Sequence, residues 1–178
     1  IERFGKVDIL INNAARDPKV ERNALGRLED VDLEMWNLDL AVGLTGSMLC
    51  SRFFGEEMAK AGRGVILNIA SDLALIAPDQ RLYRRERLAP EKQRKKPASY
   101  SVVKAGMLGL TRYLATLLAP RVRVNAISPG GVWRNPPKAF YERYVSRTPL
   151  GRMCTEEDLK GAVAYLASDL SAYVTGQN

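Results

Sequence analysis

The chain has 178 residues, 46% of them hydrophobic and 26% charged, which suits one globular domain with a buried core. Its formal charge is +7, and no apolar stretch approaches the roughly 18 residues of a membrane span. The opening Ile1-Glu2-Arg3-Phe4-Gly5 lacks a signal-peptide pattern, so a cytoplasmic location is expected. Cys50 and Cys154 stand in unrelated contexts and are read as free thiols, with no spacing for a metal site or a redox dithiol.

Val7-Asp8-Ile9-Leu10-Ile11 is a short apolar run ended by Asn12-Asn13, the pattern of a buried strand and a polar turn. From Met35 to about Lys60, apolar residues at helical spacing (Leu40, Leu44, Met48, Phe53) predict a helix, in which Gly43 and Gly46 lower the local propensity. Val65-Ile66-Leu67-Asn68-Ile69-Ala70 predicts a second strand. A helix with Ser99 as N-cap candidate then runs to about Leu118, with Val103, Met107, Leu110, Leu114 and Leu117 on one stripe, and Pro120 stops it. Val122-Arg123-Val124-Asn125-Ala126-Ile127 predicts a third strand, closed by Ser128-Pro129-Gly130-Gly131. A last helix is expected from about Thr155, where Thr155-Glu156-Glu157-Asp158 offers capping chemistry, to about Ser168. Apolar strands alternating with helices predict an α/β fold with a parallel sheet.

Residues 79–97 form a basic excursion broken by proline. From Arg81 to Pro97 it carries eight basic residues against two acidic ones, so it supplies +6 of the net +7. Its single aromatic residue, Tyr83, and the lack of any recognisable nucleic-acid module argue against a nucleic-acid partner. It reads either as a lid that attracts an anionic substrate or as a solvated loop.

Tyr100 and Lys104 are four residues apart at the start of a helix, on one face. An ammonium beside a phenol favours the phenolate, and so suits the phenol to exchange a proton with an alcohol or carbonyl oxygen. Taken alone, the same spacing also describes an ordinary surface pair.

The order of the motifs adds to that spacing. Val7-Asp8-Ile9-Leu10-Ile11-Asn12-Asn13-Ala14-Ala15, then Asn68-Ile69-Ala70-Ser71, then Tyr100-Ser101-Val102-Val103-Lys104, then Ser128-Pro129-Gly130 resembles the short-chain dehydrogenase/reductase family. Pro149-Leu150-Gly151-Arg152 through Thr175-Gly176-Gln177 is similar to that family's C-terminal region. The resemblance implies a Rossmann-like, doubly wound parallel sheet and an NAD(P)-dependent oxidoreductase acting on a carbonyl or secondary alcohol. It implies that Tyr100 is the acid/base, that Lys104 lowers its pKa and contacts the nicotinamide ribose, and that Ser71 orients the substrate oxygen. Asn12, Ala14, Pro129, Gly130 and Val132 would line the site of NAD or NADP, together with Tyr100 and Lys104. A homodimer or homotetramer built on the helix after Ser99 is implied as well. Leu75 to Tyr83, with the basic insertion, resembles a bacterial branch linked to surface-sugar biosynthesis, which makes a sugar or nucleotide-sugar substrate the expectation.

Several departures bear on function. Ala15 replaces the family's glycine, and Gly43 stands where the family has an asparagine that holds a water for the proton relay. Ser71 and Tyr100 are 29 positions apart, more than in ordinary members, because the insertion separates them. No glycine-rich phosphate turn precedes the first strand, so the chain reads as the C-terminal portion of such a domain, with Val7 to Ile11 as an unpaired apolar edge. A non-catalytic binding or assembly subunit is the alternative reading.

Overall fold

A computed structural model describes residues 3–16 and 26–178; Ile1 and Glu2 of the opening run, and residues 17–25, lie outside the described residues. Three parallel strands, β1 (Ile9–Asn12), β2 (Gly64–Ile69) and β3 (Val122–Ile127), form one sheet in that order. Asn12 pairs with Asn68, and Asn68 with Ala126, so the three carboxyl ends lie side by side. Among the described residues β1 has a strand on one side only, and Ile9 and Ile11 are 45% and 44% exposed, as an apolar edge requires.

The predicted helix over Met35–Lys60 forms as α1 (Leu33–Leu40) and α2 (Gly46–Lys60), joined by a π turn at Ala41–Thr45. The irregular turn contains the low-propensity Gly43 and ends just before Gly46. The buried face of α2 differs from the expected stripe: Ser47, Ser51, Gly55 and Met58 are buried, whereas Phe53 is 61% exposed. Close packing is the reason, since a Cβ on Gly55 would come within 3.0 Å of the Leu118 side chain.

Helix α3 (Ala98–Leu117) buries Val103, Met107 and Leu114 as predicted, but Leu117 is 59% exposed. The middle of the buried face is held by Lys104 and Thr111, two polar residues that a hydrophobic stripe passes over. Ser99 is not the N-cap. That position is Pro97, and the Ser99 hydroxyl, two residues further on, donates to Asp39 Oδ2 at 2.6 Å. Helix α4 (Lys138–Val145), opened by Pro137, was not anticipated; proline just before a helix was its signal. Helix α5 (Glu156–Ala167) begins with the expected capping chemistry, a reciprocal Thr155–Asp158 box.

The core has two parts. Met58, Ile66, Leu114, Val122 and Val124 pack between the helices and the middle of the sheet, and Ala70, Met107, Leu108 and Ala126 pack beneath its carboxyl end. Along the outer edge of β3 the chain's own last residues replace a strand: Gly176 N–H donates to Val124 O at 2.7 Å and Ala126 N–H to Gln177 O at 2.9 Å. None of the helices in the described residues is long and apolar enough to cross a membrane.

Candidate active site

The loops that leave the three strands at their carboxyl ends hold every residue singled out by sequence, except those on α3. This is the end at which open α/β sheets bind ligands. β1 delivers Asn12 and the exposed Asn13-Ala14-Ala15 turn; β2 delivers Ser71; β3 delivers Pro129, Gly130 and Val132, all partly exposed. Two bonds beyond the regular ladder tie the last two loops together, Ala70 N–H to Ile127 O at 2.8 Å and Asp72 N–H to Pro129 O at 2.9 Å. Val132 continues them with a parallel bridge to Cys154.

Lys104 is 6% exposed, and its ammonium donates to Ile69 O at 2.7 Å, the carbonyl at the end of β2 and two residues before Ser71. An ammonium buried this far from water needs such a partner. Its Nζ lies 5.9 Å from the Tyr100 ring centroid, so the pair does share one face. Lys96, from the basic insertion, holds its Nζ 3.7 Å from the same centroid, within cation–π range.

Ser71 is buried, with an extended backbone, and caps a short turn over Asp72–Ala74. Its hydroxyl donates to Asp72 Oδ1 at 2.8 Å and accepts from Leu73 N–H at 3.2 Å. Asp72 was not singled out by sequence, nor was Tyr144, whose hydroxyl accepts from Gly131 N–H at 2.6 Å. The insertion was the signal for neither, and Tyr144 could have been found only by foreseeing α4.

Asn12 plays a part that turn chemistry does not suggest. Its amide donates to Asn68 Oδ1 at 2.8 Å and Ser51 Oγ at 2.9 Å, while Asn68 donates to Thr111 Oγ1 at 2.8 Å and Thr111 to Met107 O. This buried chain of polar groups fastens α2 and α3 to the sheet directly below the candidate site.

The insertion is folded rather than loose. Gln93, 9% exposed, spans it with bonds to Arg85 N–H, Arg85 O and Leu88 O. Helix α4 and the turn after it hold it from outside: the Arg143 guanidinium donates to Arg84 O, Arg147 pairs with Asp79 at 3.1 Å, and Tyr83 meets the Phe140 ring. Arg84, Arg85 and Arg87 are exposed. Lys96 is thus the insertion's cation in contact with Tyr100.

A parallel sheet that gathers a buried lysine, a tyrosine and a serine at its carboxyl end defines a Rossmann-type site. Residues 1–178 match the family model described as enoyl-(acyl carrier protein) reductase. The trans-4-hydroxycyclohexanecarboxylate dehydrogenase of Sinomonas cyclohexanicum is 33% identical over all of this chain and 60% of its own length. The NADP-dependent mannitol dehydrogenase of Alternaria alternata is 34% identical, over all of this chain and 61% of its own. A crystal structure of a short-chain dehydrogenase from Leptospira borgpetersenii with bound NAD+ superposes with a TM-score of 0.83 at 38% identity, covering 96% of this chain and 61% of that one. The chain belongs to the short-chain dehydrogenase/reductase family. It spans about three-fifths of the length of these relatives.

Proposed function

We propose that this chain is the catalytic part of a single family-type domain, interrupted by the insertion at 79–97, in an NAD(P)-dependent oxidoreductase that acts on a secondary alcohol or its ketone. The observation that carries this reading is the burial of Lys104 with its ammonium at the end of β2, on the same helical face as Tyr100 and two residues from Ser71. The small, exposed Asn13–Ala15 turn and the partly exposed Pro129–Val132 loop flank that point, and backbone groups of this kind fit a dinucleotide. NAD or NADP would be held by Asn12, Ala14, Pro129, Gly130, Val132 and Lys104, and supplies the two-electron acceptor or donor.

The chain's own groups handle the proton. Tyr100 takes the hydroxyl proton of an alcohol, or gives one to a ketone oxygen. Lys104 favours the phenolate electrostatically. Ser71, whose hydroxyl stands beside Asp72 Oδ1 at the end of β2, orients the substrate oxygen. Lys96, set against Tyr100, supports an anionic or sugar-derived substrate of the surface-sugar kind. The exposed Phe53 and Leu49 of α2 and Tyr113 of α3 support a homodimer or homotetramer. Oxidation of secondary alcohols with NAD+ or NADP+, followed by absorbance of the reduced nicotinamide, tests the reading in the protein and its Lys104→Met variant. Turnover that falls at least tenfold in the variant agrees with it, and equal turnover contradicts it.

A further inference from the structure

Asp39, on α1, is a buried carboxylate, 7% exposed, that the proposed chemistry does not use. Its two oxygens meet two different segments. Oδ2 accepts the Ser99 hydroxyl at 2.6 Å, and Ser99, itself buried, stands in the first turn of α3 immediately before Tyr100. Oδ1 faces the Arg16 guanidinium, with Nε at 3.7 Å, and Arg16 follows directly on the Asn13-Ala14-Ala15 turn. Among the described residues Asp39 Oδ1 and Arg16 Nη1 are both buried without a hydrogen-bond partner. The two charges therefore hold each other by attraction alone, which a surrounding of low dielectric strengthens. Pro97, at the N-cap of α3, offers no side-chain bond to the helix. The turn that carries Tyr100 is thus fastened to α1 through Ser99 and Asp39, and a carboxylate at this end of α3 also suits the helix dipole.

We infer that Asp39 is a positioning residue, which holds the Tyr100 turn through Ser99 and the Asn13–Ala15 turn through Arg16, and so sets the proton-transferring phenol and the nicotinamide cofactor in one frame. The inference rests on the proposed oxidoreductase reading, in which Tyr100 moves the proton and Ala14 lines the cofactor site. The two arms act on different steps. Without the Ser99 arm the phenol is less well placed against the reacting oxygen, which slows the chemical step. Without the Arg16 arm the phenol keeps its place while the cofactor turn loosens, which weakens cofactor binding.

Steady-state oxidation of threitol, cyclohexanol and 2-butanol with NAD+ and with NADP+ tests the inference in the full chain. On the best alcohol and cofactor, kcat, the cofactor KM and the melting temperature are measured for the wild type, Ser99→Ala, Arg16→Gln, Asp39→Ala and Asp39→Asn. Ser99→Ala is expected to lower kcat about tenfold with the cofactor KM changed less than about twofold, and Arg16→Gln to raise that KM about tenfold with kcat changed less than about twofold. Asp39→Ala should do both. Asp39→Asn keeps an oxygen for Ser99 and loses the charge that faces Arg16, so it should regain most of the lost kcat and retain the raised KM. If Asp39→Ala does not fold, the other three variants decide. A lowered melting temperature with kcat and KM unchanged makes Asp39 a stabilising residue only and overturns the inference. Losses that do not divide between the two arms overturn it too, and in both cases the oxidoreductase reading stands. A wild type that oxidises none of the three alcohols overturns that reading and the inference with it.

Discussion

Val103 fills the space beside Gly43: a Cβ on the glycine would lie 2.5 Å from Val103 Cγ1. This contact joins the π turn to α3 one residue before Lys104, and it leaves no room for a side chain the size of asparagine at Gly43. Gly43→Asn is expected to lower stability by about 1–3 kcal/mol through overpacking. Adding Val103→Ala should recover part of that loss, since the smaller side chain reopens the space. Denaturant unfolding of the two single variants and the double variant measures the coupling, and strict additivity would show that the contact is unimportant.

The buried amide chain beneath the site should matter more to stability than to chemistry. Asn68 is fully buried, accepts from Asn12 and donates to Thr111. Asn68→Ala removes one buried hydrogen bond from each partner, Asn12 keeping its bond to Ser51 and Thr111 its bond to Met107 O, and each buried bond lost costs about 1–3 kcal/mol. A fall of at least about 2 kcal/mol in unfolding free energy is expected from denaturant titration. A value near zero would mean that the neighbours rearrange to satisfy each other.

Acid should loosen the insertion's attachment only at low pH. The Arg81 side chain, donating to Asp79, holds that carboxyl at about 2, below its ordinary 3.8, with further help from Arg147. Because the folded value is depressed, the pair's contribution is complete above the ordinary value and is lost as pH falls from there through about 2. Solvent exposure keeps that contribution small. Carbon chemical shifts of the Asp79 carboxyl should titrate near 2 in the wild type and near the ordinary value in Arg81→Ala; an ordinary midpoint in both contradicts the pairing.

Strands and the Tyr100–Lys104 helix were legible in the sequence because burial on both faces leaves apolar runs, and a four-residue spacing fixes a shared helical face. Ser71, Tyr100 and Lys104 could be named because their types stand in a recognisable order. What stayed hidden depends on contacts across distant segments. The role of Asn12 needed Asn68, Ser51 and Thr111 to be brought together, and the polar centre of α3 runs against its hydrophobic stripe. Asp72 and Tyr144 converge on Gly130 only because α4 packs over the β3 loop. The insertion's composition suited a solvated loop, yet one buried glutamine, two side chains of α4 and Arg147 just after it fix its fold.

Replacement of Tyr100 by phenylalanine tests the central claim most directly, because it removes the phenolic oxygen and keeps the ring beneath Lys96. Positioned acid/base groups contribute roughly 10²- to 10⁴-fold. Steady-state oxidation of a secondary alcohol with NAD+ or NADP+ should therefore show a kcat at least about 100-fold lower in the variant, with the melting temperature essentially unchanged. A well-folded Tyr100→Phe protein that keeps more than about a tenth of wild-type turnover would contradict the assignment of Tyr100 as the proton-transferring residue.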